Sequence, residues 1–199
     1  MNIIGIFPTP IGISELPRQL TEKELSFMKV QNVRYNEGNL TSVNNYILNT
    51  QELADLKYLI WEHVQAFFNN VYKPKYLNHL RITQSWLNFN PTSMYHHLHA
   101  HPNSILSGVY YPEGSETDGE IIFHKNSYQQ LLFESSENND FNSQSYHISA
   151  NTNRLIIFPS SLSHSVKPFK SPTARISLSF NTFATGVLGE NIMLTELVL

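Results

Sequence analysis

The sequence of 199 residues predicts one domain built mainly from β-strands, an antiparallel sandwich or jelly roll with flanking helices. Two observations predict this class. Beyond residue 79, short segments rich in Ile, Val, Tyr and Phe recur without helices between them, bounded by Pro, Gly, Asn or Ser: 80–89, 104–111, 120–124, 154–158 and 174–183. The helical patterns lie before that point. We therefore divide the single domain 1–199 into an N-terminal strand with packing helices (1–78) and a β core (79–185).

The N-terminal segment 2–14 contains two prolines and predicts an extended chain suited to the edge of a sheet. A short helix is expected over 20–29, because Thr21 can cap its first turn and Glu24 follows three residues later. The sequence therefore predicts an edge strand and a short capped helix before the β core begins.

The strongest helical pattern covers 50–72. Asn49 can cap it, with Glu52 in the reciprocal position. Its apolar residues recur at helical spacing and predict one buried stripe, formed by Leu53, Leu56, Ile60, Val64, Phe67 and Val71. A helix with such a stripe is typically packed against a sheet.

Two connections between strands of the predicted β core have informative sequences. The pair Asp118-Gly119 predicts a hairpin turn between two of the strands. The stretch 126–147 is polar and long, which is typical of a lid, a binding loop or a disordered tip.

Composition excludes several classes of protein. The net charge is -3 and no basic run occurs, which argues against binding to nucleic acid. Cysteine is absent, so thiolate metal sites and disulfide frameworks are excluded. The start of the chain lacks a basic region, and no apolar run approaches the ~18 residues of a membrane helix, so we expect a cytoplasmic protein without membrane contact.

Four of the nine histidines fall close together: His96, His97, His99 and His101. In a strand, residues i and i+2 share a face at about 6.6 Å between α-carbons, so two such imidazoles can converge on one metal. His99 and His101 are the better pair, because they lead directly into the apolar segment 105–111. His96 and His97 are close enough to touch a substrate.

The second half of the chain adds partners for this pair. His164 follows the apolar strand 154–158 and offers a third imidazole, while Arg175 and Ser177 share one face of the last strand. A guanidinium in a sheet interior needs an anionic partner, and the carboxylate of a bound ligand would satisfy it. The alternative is an ion pair across the sheet with Glu113, Glu116 or Glu120.

Four motifs together carry a family resemblance. They are HxHPNxxLSGVYY over 99–111, GEIIF over 119–123, RLIIFPSxxxHxV over 154–166 and RISxSFN over 175–181. In this order and spacing the chain resembles the iron(II)/2-oxoglutarate-dependent oxygenases, and in particular a small bacterial and phage group of 2OG-Fe(II) oxygenases. The opening Phe-Pro-Thr-Pro at 7–10 and the pair Trp86 and Asn88 also suit that group.

The resemblance implies a double-stranded β-helix (a jelly roll, cupin-like) in which His99 and His164 bind Fe(II). It also implies that Arg175 binds the distal carboxylate of the cosubstrate 2-oxoglutarate, assisted by Ser177 and Tyr111. Asn88 is a further candidate for hydrogen bonds to cosubstrate or substrate, although pairing within the sheet would explain it equally well.

One position departs from the family pattern. Most members have an acidic residue where this chain has His101. Either three neutral histidines bind the metal, which we favour, or His99 and His164 are the two protein ligands and His101 lies next to them without binding the metal. A site of three imidazoles leaves the metal dipositive, whereas a carboxylate ligand would lower the net charge by one.

The sequence therefore predicts a non-haem oxygenase that uses O2 and hydroxylates a small molecule, amino acid or peptide. One alternative is a three-histidine metalloenzyme that does not use 2-oxoglutarate, either a cupin-type dioxygenase or a zinc enzyme. Another is a non-catalytic jelly-roll binding module in which the histidine cluster has no role. Arg175 favours the oxygenase, because a zinc hydrolase has no obvious need for a cation there. The sequence leaves the oligomeric state open, a homodimer included.

Overall fold

The computed structural model describes residues 1–76, 78–114, 119–126, 133–168 and 174–199. Its strands are β1 (Gly12–Glu15), β2 (Val33–Asn36), β3 (Asn39–Ser42), β4 (His79–Asn90), β5 (His96–His99), β6 (Leu106–Tyr111), β7 (Glu120–His124), β8 (Ser145–Ser149), β9 (Arg154–Pro159), β10 (His164–Val166), β11 (Arg175–Thr185), β12 (Val187–Leu188) and β13 (Leu197–Val198). The α-helices are α1 (Glu22–Lys29) and α2 (Ala54–Tyr72), and two 3-10 turns, Ile47–Asn49 and Gln51–Leu53, precede α2.

Two antiparallel sheets face each other. The major sheet has the order β1-β9-β6-β11-β4-β3-β2, and the minor sheet has the order β5-β10-β7-β8. Apolar residues of β6, β7, β8 and β9 fill the space between the sheets: Val109, Tyr111, Ile121, Phe123, Ile148, Ile156 and Phe158. This is the jelly roll, or double-stranded β-helix, that the sequence predicts.

The outer face of the major sheet is covered by the helices. In β9, Ile156 and Phe158 face the minor sheet, whereas Leu155 and Ile157 belong to the cluster that packs under α2. This alternation follows from the two-residue period of a strand, and it explains why an apolar run is buried on both faces. The helices therefore support the sheet from behind and leave the space between the sheets for the site.

Helix α1 confirms the predicted cap. The hydroxyl of Thr21 accepts a hydrogen bond from the Glu24 backbone, and the Glu24 carboxylate accepts one from the Thr21 backbone at 2.8 Å. Arg18 adds two hydrogen bonds to the same carboxylate, at 2.7 and 2.8 Å. The start of α1 is thus stabilised by the reciprocal hydrogen bonds between Thr21 and Glu24 and by the ion pair between Arg18 and Glu24.

The predicted start of α2 is wrong. The helix begins at Ala54 rather than at Thr50, and Asn49 accepts a hydrogen bond from Lys57 instead of capping the first turn. Extended backbone at Thr50, with ψ 151°, separates the two 3-10 turns and prevents a continuous helix from position 50. The predicted stripe is buried as far as Val64, after which Phe68 replaces Phe67 and Val71 is exposed.

The N-terminal part is more β-rich than predicted. The hairpin β2–β3 joins the major sheet through β3, which pairs with β4, so 1–78 contributes more than packing helices and an edge strand. Within 2–14, strand pairing begins only at Gly12, where β1 forms the sheet edge beside β9.

The connections were predicted less well. The predicted hairpin between 104–111 and 120–124 is wrong, because β6 belongs to the major sheet and β7 to the minor sheet. Asp118 of the predicted turn lies outside the described residues, as do 127–132 of the polar stretch. That stretch ends inside a strand, because β8 begins at Ser145 and pairs with β7. Within the described part of the chain, no helix has the length and apolar character needed to span a membrane.

Candidate active site

Three imidazoles converge at one edge of the minor sheet. His99 ends β5 and lies opposite His164, the first residue of β10. His101 follows two residues later, and its backbone N–H donates to the carbonyl of Ser160 at 2.9 Å. One ring nitrogen from each histidine lies within 4.8 Å of the other two. We call the face formed by these three residues and His96 the histidine wall.

Backbone carbonyls orient two of these rings. Nδ1 of His99 lies 2.8 Å from the carbonyl of His97, and Nδ1 of His164 lies 3.0 Å from that of Leu162. A carbonyl oxygen can only accept, so each Nδ1 carries the proton and each Nε2 keeps its lone pair. Nε2 of His164 lies 3.3 Å from Nε2 of His101. The lone pairs therefore face a common space.

Burial keeps these rings neutral. It lowers the pKa of His164 to about 3 and that of His101 to about 4, with further lowering by the neighbouring imidazoles. The pKa of His99 is lowered by the same cause. Metal binding requires deprotonated imidazole, so the three residues are in the ligating form at neutral pH.

The opposite side of the cavity is formed by β4, β11 and β6 of the major sheet. Their side chains alternate, and every second residue faces the histidines. Cross-strand register arranges these residues in rows. The rows pair Arg175 with Asn90, Ser177 with Asn88, and Ser179 with both Trp86 and Val109. We call the face formed by Asn88, Asn90, Tyr111, Arg175 and Ser177 the donor wall.

Arg175 begins β11 and is 6 % exposed, with its guanidinium carbon 5.6 Å from the centre of the Tyr111 ring. Burial raises the pKa of the Tyr111 hydroxyl, so this group remains a proton donor. Of the carboxylates predicted as alternative partners, Glu113 contacts Lys29 at 2.9 Å and Glu120 contacts His147 at 2.8 Å. The third, Glu116, lies outside the described residues.

The side-chain amide of Asn88 forms its hydrogen bonds with other protein side chains. Its Nδ2 donates to Ser179 at 2.9 Å and to Ser177 at 3.4 Å, and its Oδ1 accepts from Asn39 at 3.4 Å. The amide is therefore engaged within the wall. Because Ser177 accepts from Asn88, its own hydroxyl proton is available to donate into the cavity.

The remaining predicted residues divide between the cavity and its rim. His96 lines the cavity and stacks on His99, with 4.3 Å between ring centres. His97 lies 3.4 Å from the carbonyl of Glu37 and has a partly exposed side chain. Trp86 lines the cavity and contacts the ring of His101, with ring centres 5.8 Å apart.

Sequence reasoning missed Asn90, which also lines the cavity. The signal was present, because Trp86, Asn88 and Asn90 occupy alternate positions of one strand and must share a face. An alternation argument from the two residues already considered would have included the third.

One family of known proteins matches part of the sequence. Residues 84–181 match the family described as "Putative 2OG-Fe(II) oxygenase". This match supports assignment of the chain to the superfamily of iron(II)- and 2-oxoglutarate-dependent oxygenases. No curated protein matches the sequence.

Solved structures with the same fold are distant in sequence. HygX from Streptomyces hygroscopicus, with nickel, 2-oxoglutarate and hygromycin B bound, has a TM-score of 0.61 at 11% identity over 87% of this chain and 82% of its own. A prolyl hydroxylase from Trichoplax adhaerens, in complex with a peptide fragment of hypoxia inducible factor, has a TM-score of 0.59 at 15% identity over 87% and 83%. A prolyl-4-hydroxylase from Pseudomonas putida has a TM-score of 0.56 at 11% identity over 87% and 92%. At these identities the likeness shows the fold.

Proposed function

We propose that this oxygenase binds Fe(II) through His99, His101 and His164, binds 2-oxoglutarate between the two walls, and hydroxylates a small molecule or peptide. One observation carries the proposal: a triad of neutral imidazoles faces a wall that contains a buried arginine. Nitrogen donors of this kind suit a divalent first-row metal, and no thiolate competes, because the chain has no cysteine.

The separation of the two groups supports a ligand with two polar ends. The ring of His101 contacts Trp86, which is level with Ser179 on β11. Arg175 lies four residues from Ser179 along that strand, or about 13 Å between α-carbons at the usual rise of about 3.3 Å per residue. A molecule that touches both needs one end that coordinates a metal and another that accepts hydrogen bonds from a guanidinium. 2-Oxoglutarate has both.

Each protein group has a defined task in this proposal. The three imidazoles hold the metal, and backbone carbonyls orient the rings of His99 and His164 so that their Nε2 atoms are free to bind it. Arg175 neutralises the distal carboxylate, and Ser177 and Tyr111 donate hydrogen bonds beside it. The apolar residues between the sheets exclude water. When bound, iron(II) with 2-oxoglutarate supplies oxygen activation coupled to oxidative decarboxylation of the cosubstrate and oxidation of a substrate C–H bond.

The molecules bound in two structures of the same fold support a proposal for the substrate class. HygX is described with hygromycin B bound, and the Trichoplax enzyme with a peptide fragment. We accordingly propose a small molecule or peptide that enters beside His96 and Trp86, two cavity residues in ring contact with the proposed metal ligands.

Thermal unfolding tests the proposal without turnover. Mn(II) should raise the unfolding midpoint, and 2-oxoglutarate should raise it further, by about 2.7 kcal/mol of stability at ligand concentrations of about 100 times Kd. Arg175→Leu should keep the response to metal and lose the response to 2-oxoglutarate, with Arg175→Lys intermediate. Arg154→Leu is the matched control, because Arg154 lies in the same sheet but donates to Ser149.

Two outcomes would contradict parts of the proposal. If Arg175→Leu responds to 2-oxoglutarate as the parent does, the cosubstrate position is wrong. If the parent responds to the metal but never to 2-oxoglutarate, the chain is a three-histidine metalloenzyme of another kind.

A further inference from the structure

Asn90 is a buried amide in the cavity with an unused donor. It ends β4, is 2 % exposed and lines the cavity. Within the described part of the chain, its Nδ2 has no hydrogen-bond partner. Buried polar groups in folded proteins are almost always paired, so an unused one at a cavity wall indicates a partner that arrives with a ligand.

Comparison with the neighbouring Asn88 shows that the missing hydrogen-bond partner is particular to Asn90. Asn88 lies two residues earlier on the same strand and the same face, and its amide is engaged on both sides by Asn39, Ser177 and Ser179. The wall therefore provides internal partners for one amide and leaves the Nδ2 of the next without one. The difference lies in position, because Asn90 is in the row of Arg175 rather than in that of Ser177.

The position of Asn90 defines the ligand chemistry. Paired residues on adjacent antiparallel strands have Cβ atoms about 4.5–5.5 Å apart, so the side chains of Asn90 and Arg175 reach the same space. An N–H donor beside a guanidinium suits an oxygen acceptor that carries negative charge. A carboxylate has about four lone-pair sites, more than a guanidinium alone occupies.

We propose that Asn90 donates a hydrogen bond to the distal carboxylate of the bound 2-oxo acid and makes the site selective for dicarboxylic over monocarboxylic 2-oxo acids. This inference rests on the proposed function, since it requires that 2-oxoglutarate occupies the cavity. Asn90 is a specificity residue: a 2-oxo acid without the distal carboxylate would leave the Nδ2 donor unpaired and bind weakly.

Binding of two 2-oxo acids tests the inference. The dissociation constants of 2-oxoglutarate and of 2-oxobutanoate, which lacks the distal carboxylate, are measured by calorimetry on the Mn(II)-loaded protein without oxygen. In Asn90→Leu, which keeps the approximate shape of the side chain, binding of 2-oxoglutarate should weaken about tenfold or more. Binding of 2-oxobutanoate should stay within about twofold, so the selectivity ratio should fall.

Further variants separate a binding role from a structural one. Asn90→Asp places a second carboxylate beside the first and should weaken 2-oxoglutarate more than Asn90→Leu does. Asn151→Leu is the matched control, because Asn151 also has an unpaired buried side-chain atom but lies outside the cavity lining. It should leave both dissociation constants unchanged.

The outcomes distinguish this inference from the proposed function. If the parent binds 2-oxoglutarate but Asn90→Leu binds both acids as the parent does, the inference is overturned and the proposed function stands. Equal weakening of both acids would show a structural role and would also overturn it. If the parent does not bind 2-oxoglutarate, the proposed function itself fails.

Discussion

The histidine wall and the donor wall face one cavity, yet their polar atoms have opposite tasks. On the histidine wall, carbonyls of His97 and Leu162 hold the Nδ1 protons of two rings, and the free lone pairs point inwards. On the donor wall, Arg175 and the hydroxyls of Ser177 and Tyr111 offer hydrogens. In the proposed function, one wall therefore binds a cation and the other an anion.

This contrast supports the proposal that the two sheets together form a site for a ligand with two polar ends. The minor sheet is narrow, and His99 and His164 lie at the ends of their strands. The chain after β5 brings the ring of His101 next to that of His164. The major sheet is wide and regular, so residues such as Arg175 and Asn90 are held in rows by register alone. We expect that substitutions in the donor wall leave binding of the metal alone unchanged.

The largest effect is expected from the histidine wall. His99→Ala and His164→Ala should each weaken metal binding by more than about 100-fold, because loss of a direct ligand exceeds the 10–100-fold typical of changes behind the ligands. His101→Ala should do the same if His101 is a ligand. Equilibrium dialysis against Mn(II) or Fe(II), with metal content measured afterwards, gives the result.

His97→Ala is the control for this series. The carbonyl that orients His99 belongs to the backbone of His97 and survives the substitution, so metal content should not change. Equal metal content in His97→Ala, His99→Ala and His164→Ala would exclude the proposed triad.

Acidification should lower the free energy of unfolding of the metal-free protein, because the buried histidines of the histidine wall are neutral in the folded state. The unfolded chain takes up protons on its histidines near pH 6.5, whereas the folded-state pKa values of His164 and His101 are about 3 and about 4. The unfolded state therefore binds more protons, and stability falls as the pH drops below about 6.5. The expected loss between pH 7 and pH 5 is on the order of 1–2 kcal/mol for each buried imidazole.

Urea unfolding at several pH values measures this dependence. The stability of His164→Ala should depend less steeply on pH than that of the parent, because the variant lacks one buried neutral imidazole. An unchanged slope in His164→Ala would show that this ring is not buried in its neutral form.

The donor wall should show a smaller, graded effect. Ser177→Ala removes one hydroxyl beside Arg175 and should weaken 2-oxoglutarate binding about tenfold, with metal binding unchanged. Ser179→Ala is the control, because Ser179 also accepts from Asn88 but lies one row further from Arg175. Similar losses in both variants, measured by calorimetry, would argue that the Asn88 network matters rather than the Ser177 hydroxyl.

The sequence was most informative where local geometry determines position. The alternation of strand residues was enough to place Arg175 and Ser177 on one face, and the motif order indicated that His164 joins His99. The role of Asn88 could not be read in the same way. Its partner Asn39 lies on a hairpin that the sequence did not reveal, because 33–42 is short and largely polar.

The helix start illustrates a second limit. Asn49 and Glu52 form a plausible capping pattern, but extended backbone at Thr50 produces two 3-10 turns that pack Ile47 and Leu48 into the core. Tertiary burial outweighs a local capping preference of about 1 kcal/mol. Such competition is invisible when only local residues are considered.

The most direct test of the central claim is the energetic coupling between the two walls. Calorimetric titration of 2-oxoglutarate into the parent protein, with and without saturating Mn(II), measures it. If one molecule bridges the walls, the metal should tighten 2-oxoglutarate binding at least about tenfold, and 2-oxoglutarate should tighten metal binding by the same factor. Equal affinity with and without the metal, or no binding in either case, would contradict the account.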